Sequence, residues 1–194
     1  MTEPGAFGTF VGKLTLTIRD GEVVGDSYEL LDVDPDKYPA DPQMAALIEQ
    51  AKAPHREELE RVMGYTSTPI YRYLTVETPM DHMITDAFRW KTGTQIALSN
   101  GFRYGNPVVP QNDRPAPITM ANLWNWMPLN TKLKTGKVKG EVLHQWLENE
   151  VNNAFSPKPA ERFGGYLVRF SGIRMRFEPS LPKGQRITEL LVDG

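Results

Sequence analysis

The chain has 194 residues, with 22 Lys+Arg against 24 Asp+Glu and a formal net charge of −2. That balance offers no basic surface for nucleic acid or an anionic membrane, and no apolar run approaches the roughly 18 residues of a membrane span. Hydrophobic content of 40% and charged content of 24% are those of a globular domain, the lack of cysteine removes disulfides and thiolate chemistry, and no basic-then-apolar N terminus reads as a signal peptide.

Phe10 to Ile18 alternates in the manner of a strand, Asp20-Gly21 supplies a tight turn, and Val23 to Val33 returns. Such a hairpin is marginal alone and needs a further surface. Asp34 to Pro42 is rich in proline and aspartate, a linker composition. Asp41-Pro42 is a helix start, an N-cap carboxylate followed by a residue preset for the first turn. Met44, Leu47, Ile48 and Ala51 follow at helical spacing, and Leu59, Val62 and Met63 continue the helix past a kink at Pro54, with Gly64 closing it. Ile70 to Thr75 predicts a strand. Thr78-Pro79 opens a helix with Met80, Met83, Ile84, Ala87 and Phe88 on one face and Gly93 as its stop. Gln95 to Leu98 predicts a short strand and Ser99 to Gln111 a loop. Thr119 caps a short helix through Trp124 and Trp126, and Leu129 to Thr135 predicts a strand that turns at Gly136. Lys139 to Phe155 is a helix with Val142, Leu143, Trp146, Leu147 and Val151 inward. Ser156 to Pro159 is a loop. Tyr166, Val168 and Phe170, then Ile173, Met175 and Phe177, predict a strand pair bent at Ser171-Gly172, and Ile187 to Val192 is the last strand. This order predicts an α+β (α/β-like) fold, a mixed β-sheet flanked by helices and preceded by a β-hairpin and a linker helix.

Little in the chain reads as catalytic machinery. The three histidines are His55, His82 and His144. His82 and Asp86 could share a helix face, but two groups make a poor metal site and a solvated face explains them as well. There is no Gly-x-Ser-x-Gly elbow, P-loop or Gly-x-Gly-x-x-Gly, so neither catalytic nor metal-ligating residues are assigned. Three segments instead combine glycine, arginine and aromatics. Ser99-Asn100-Gly101-Phe102-Arg103-Tyr104-Gly105 follows a buried strand, where open sheets place ligand loops. Arg103 there offers a planar fork for phosphate or carboxylate. Trp124 to Thr131 crowds aromatics around Pro128, and Glu161-Arg162-Phe163-Gly164-Gly165-Tyr166 repeats the theme. The alternative is that the aromatics are core and the glycines turns.

The order of several short motifs carries a resemblance. Thr85-Asp86-Ala87 on a helix, then Ile96 to Arg103, Ile118-Thr119, Met127-Pro128-Leu129, Gly140 to Leu143, Leu147-Glu148, Gly164 to Leu167, Ser171-Gly172-Ile173 and Arg186 through Gly194, resembles the C-terminal domain of the bacterial 5'-nucleotidase family of metallophosphatases. The Gly-Phe-Arg-Tyr-Gly and Arg-Phe-Gly-Gly segments are also similar to thiosulfohydrolases of the periplasmic sulfur-oxidation system. The resemblance implies that residues 1–34 are the tail of an N-terminal metallophosphatase domain, 35–65 a linker helix, and 66–194 a substrate-binding domain truncated at its C terminus. It implies two divalent metal ions, Mn or Zn, in that N-terminal domain, with none in this chain. The chain would recognise a small anionic substrate, a nucleotide or a sulfur oxyanion conjugate, and be inactive alone. Nucleic acid and membrane are not implied as partners, and location would be periplasmic or extracellular. The substrate-binding candidates are Asn100, Gly101, Phe102, Arg103, Tyr104, Trp126, Leu129, Arg162 and Phe163. Leu129 falls where nucleotidases place a base-stacking aromatic. Two other readings are a domain of a thiosulfohydrolase-like enzyme and a non-catalytic module that binds a small anion.

Overall fold

The computed structural model describes residues 4–5, 8–101 and 105–192. Phe102, Arg103 and Tyr104 of the candidate set therefore lie outside the described residues. The chain divides into two compact units, Met1–Arg56 and Glu57–Gly194.

In the first unit, β1 (Phe10–Arg19) pairs antiparallel with β2 (Glu22–Asp32). The turn takes Asp20 at φ 53° and Gly21 at φ 84°, the left-handed conformation that Asp-Gly tolerates. Helix α1 (Pro42–Lys52) begins as its sequence dictates, with Asp41 accepting the Met44 N–H at 2.8 Å. A 3₁₀ turn, Ala53–His55, carries the chain past Pro54. No described residue of this unit is buried, although Leu14, Leu16, Ile18, Val23 and Leu30 are apolar.

The second unit contains an α+β fold of helices among small antiparallel ladders. After the short helix α2 (Arg56–Glu60), the expected helical continuation through Val62 and Met63 is replaced by β3 (Val62–Thr66). It pairs antiparallel with β5 (Ala116–Thr119), and this non-local ladder outweighs the local helical spacing. Within the expected strand at 70–75 only Ile70 is laddered, to Val108, through two hydrogen bonds of 2.9 Å.

Helix α3 (Pro79–Thr92) is capped by Thr78 and closed by Gly93 at φ 66°. Strand β4 (Ala97–Ser99) pairs antiparallel with β6 (Arg169–Ser171). Helix α4 (Met120–Trp126) opens on a reciprocal capping box between Thr119 and Asn122. Residues 129–135, expected as a strand, are exposed and outside any ladder, and the Thr131 N–H turns back to the Leu129 carbonyl at 3.1 Å. Helix α5 (Gly140–Phe155) buries Leu143, Leu147 and Val151 as expected. Val142 and Trp146, also expected inward, are 52% and 37% exposed, because they fall on the flanks of the stripe. A 3₁₀ turn, Pro159–Glu161, occupies the following loop. Strand β7 (Ile173–Phe177) pairs with β8 (Ile187–Val192).

Two apolar clusters hold this unit. Leu143, Leu147 and Val151 of α5 meet Leu167, Val168, Ile173 and Ile187. Met80 and Ile84 of α3 meet Ile70, Val108, Ile118 and Trp126. A fully buried Leu or Met side chain contributes about 1.5–3 kcal/mol, so Leu147 and Met80, at 0% exposure, are anchors of the two clusters.

Candidate functional site

The three glycine-and-aromatic segments converge. A Cβ on Gly101 would stand 2.3 Å from Tyr166 Cδ2 and 2.8 Å from the Leu167 carbonyl oxygen. Only glycine permits this approach of the first segment to the third. Gly105, at φ 76°, is equally tight against the second, where a Cβ would lie 2.6 Å from Trp126 Cδ1. The Trp126 indole N–H donates to the Asn106 carbonyl at 3.0 Å, and the Tyr73 hydroxyl donates to the Gly105 carbonyl.

Beneath these loops lies a buried charge cluster. Arg72, Asp81 and Arg169 are 3%, 2% and 1% exposed. Arg72 Nε donates to Asp81 Oδ1 at 2.8 Å, and Arg169 Nε stands 3.0 Å from Asp81 Oδ2. Thr78 Oγ1, from the α3 cap, adds a bond of 2.6 Å to the same carboxylate. The guanidinium of Arg72 then reaches outward, its Nη2 donating to the Asn100 carbonyl at 2.7 Å and to Ser99 Oγ at 3.2 Å, and its Nη1 to the Trp126 carbonyl at 3.4 Å. Arg169 donates to the carbonyls of Leu74, Thr75 and Val76. Segment 71–76 has no ladder of its own, and these donors satisfy its carbonyls instead. Two cations on one carboxylate leave a net positive charge under the Ser99–Gly101 turn.

The third segment is held from the other side. Glu161 accepts from Ser156 Oγ at 2.8 Å, Lys158 Nζ at 3.2 Å and Asn152 Nδ2 at 3.3 Å. These bonds, the Ser156 hydroxyl first, pull its carboxyl down to about 2. Arg162 Nε donates to the Ser156 carbonyl and the Phe163 N–H to Asn153 Oδ1. Phe163 then stands 77% exposed beside Gly164 and Gly165, which take φ 106° and 63°.

The candidate residues thus fall into distinct environments. Asn100, Leu129, Arg162 and Phe163 are exposed, Gly101 is buried under Tyr166, and Trp126 is 1% exposed with its ring in the α3–α4 cluster. Arg72 and Arg169 escaped the sequence reading. Their signal was a charge inside an apolar run, Arg72 between tyrosines and Arg169 between Val168 and Phe170. His82 is half-exposed, 3.5 Å from Glu77, and Asp86 accepts from Ser171 Oγ. Among the described residues no three His, Asp or Glu side chains group so as to hold a metal ion.

The model of the family described as 5'-nucleotidase, C-terminal domain, matches residues 62–194. The sulfate thiohydrolase SoxB of Thermus thermophilus superposes with a TM-score of 0.83 at 22% identity, over 95% of this chain and 34% of that one. A 5'-nucleotidase precursor, also from Thermus thermophilus, gives a TM-score of 0.72 at 25% identity, over 95% of this chain and 36% of that one. The endonuclease YhcR of Bacillus subtilis is 23% identical over 154 residues, 78% of this chain and 12% of that protein. The chain therefore spans about a third of the two solved structures and a smaller share of the endonuclease. With residues 62–194 matched by its model, the chain belongs to the 5'-nucleotidase C-terminal-domain family.

Proposed function

We propose that this chain is the substrate-recognition part of a two-metal phosphoesterase of the 5'-nucleotidase kind. The observation that carries the reading is the convergence of the three loops at Gly101 and Gly105, with exposed Phe163 and Arg162 beside them. Phe163 offers a face for a base, and Arg103 and Arg162 offer forks for an anion. The net positive charge of the Arg72–Asp81–Arg169 cluster favours an anionic group above it. Asn100, Gly101, Phe102, Tyr104 and Leu129 complete the proposed binding surface, with Trp126 shaping it from below.

In this reading the chemistry resides elsewhere. Two divalent ions, Mn or Zn, in an N-terminal metallophosphatase domain would supply the activated water. Residues 1–34 would be the tail of that domain, 35–65 the linker and 66–194 the substrate domain. Structural likeness over 95% of the chain supports this, because it takes in the hairpin as well as residues 62–194. The parent protein would act in the periplasm or outside the cell. A second reading, a thiosulfohydrolase-like domain, is favoured by the higher TM-score of 0.83 and by Leu129, an exposed aliphatic side chain with no π-face for a base.

Thermal melting of the chain with adenosine monophosphate, ribose 5-phosphate or thiosulfate tests both. A ligand at a hundred times its Kd adds about 2.7 kcal/mol of stability. Adenosine monophosphate is expected to raise the melting temperature, Phe163→Ala to abolish the rise, and added Mn or Zn to elicit no turnover. A rise with thiosulfate alone supports the second reading. Turnover by the chain itself, or no rise with any ligand, overturns the proposal.

A further inference from the structure

A wide groove opens on the face of the second unit formed by α3, α4 and β4. Its volume is about 1410 Å³, above the ~300–1,000 Å³ typical of small-molecule pockets. Met83, Phe88 and Leu123 line it with apolar surface, and residues 94–100 and 128–138 supply its other sides. The groove shares Asn100, Trp126 and Leu129 with the loop cluster but neither Arg162 nor Phe163.

A strand edge and an unladdered segment meet this groove. Strand β4 is paired with β6 on one edge only. Residues 129–135 have the alternation of a strand, with Leu129, Thr131, Leu133 and Thr135 interleaved by Asn130, Lys132 and Lys134. Yet the backbone of residues 132–138 makes no hydrogen bond among the described residues, and every residue from 127 to 139 is exposed. A run of unmet donors and acceptors is a template for an added strand. Charge specifies which strand. Lys132, Lys134 and Lys137 line the groove, and no Asp or Glu does among the described residues. A second copy of the same segment would set lysine against lysine, a repulsive pairing.

We propose that this groove is a docking site for an extended acidic polypeptide strand. It enters between β4 and residues 129–135, with alternate apolar side chains toward Met83, Phe88 and Leu123 and its Asp or Glu side chains toward Lys132 and Lys134.

The test uses the 194-residue chain and a labelled peptide of about ten residues alternating valine and glutamate, long enough to cross the groove at ~3.3 Å per residue. Saturable binding is expected, with amide-exchange protection confined to residues 97–99 and 129–138. The Lys132→Glu, Lys134→Glu double variant is expected to lose at least about tenfold in affinity and to gain binding of the peptide with lysine in place of glutamate. Phe163→Ala is expected to bind the acidic peptide unchanged, which separates peptide docking from ligand binding at the Arg162–Phe163 loop. The proposal is overturned by no binding, by equal binding of a composition-matched peptide without alternation, by protection elsewhere, or by failure of the charge swap. Self-association of the chain through residues 129–138 would also overturn it.

Discussion

Glu161 shows how much one half-buried side chain can organise. Its carboxylate collects a hydroxyl, an ammonium and an amide, and so fixes the turn that presents Arg162 and Phe163. Those bonds require the charged form, and its folded value of about 2 lies below the ordinary 4.5. A depressed carboxyl contributes stability that is fully present above its unfolded value and lost as pH falls through its folded value. Between pH 4.5 and about 2, therefore, the wild-type chain should lose stability that Glu161→Gln does not lose over the same range. Urea unfolding of both proteins at stepped pH measures this, and parallel curves would refute it. The residue scale also explains what the sequence concealed. Arg72 and Arg169 stand in runs of apolar and aromatic residues, where a charge reads as a strand's solvent face. Their burial is apparent only once Asp81, on a different element, is seen between them.

Among the elements, those governed by local chemistry were the readable ones. Asp41-Pro42, Thr78-Pro79 and Thr119 cap their helices, and Gly93 ends α3, because caps depend on residues within one turn. The helical reading through Val62 and Met63 failed because β3 takes its partner from residues 116–119. Residues 129–135 have a strand's alternation but no partner, and alternation alone cannot supply one. In the candidate site, the three loops were legible as glycine, arginine and aromatic segments, whereas the clamp beneath them was not. That clamp is an element in its own right, since side chains replace the ladder that segment 71–76 lacks. Asp81→Ala would leave two buried guanidinium groups uncompensated and should cost about 3–5 kcal/mol, read as a lower urea midpoint. The loss should be accompanied by faster amide exchange in residues 70–78, and a cost below about 1 kcal/mol would show that water already reaches the cluster.

For the whole molecule, the two units differ in how they are held. The second has two apolar clusters, and the described part of the first has no buried residue. Amides of β1 and β2 should accordingly exchange far faster than those of Leu143 to Val151 in the intact chain, because opening a strand pair with no buried side chain exposes little apolar surface. Equal protection in the two regions would contradict this. A chain beginning at Glu57 should retain a cooperative unfolding transition for the same reason.

The long reach of Arg169 bears on how the molecule is made. Its guanidinium satisfies carbonyls 93, 94 and 95 positions earlier in the chain. Ribosomes add roughly 5–20 residues per second, so segment 71–76 leaves the ribosome on the order of 5–20 s before the residue that completes it. During that interval the segment's carbonyls lack Arg169, and Asp81 has Arg72 and Thr78 as partners but not its second cation. Nascent chains of this protein therefore pass through a stage in which an aromatic-rich stretch, Tyr71 to Tyr73, is exposed and waiting. Slower translation of residues 80–170 would lengthen that exposure, and with it the demand on whatever shields nascent chains from one another.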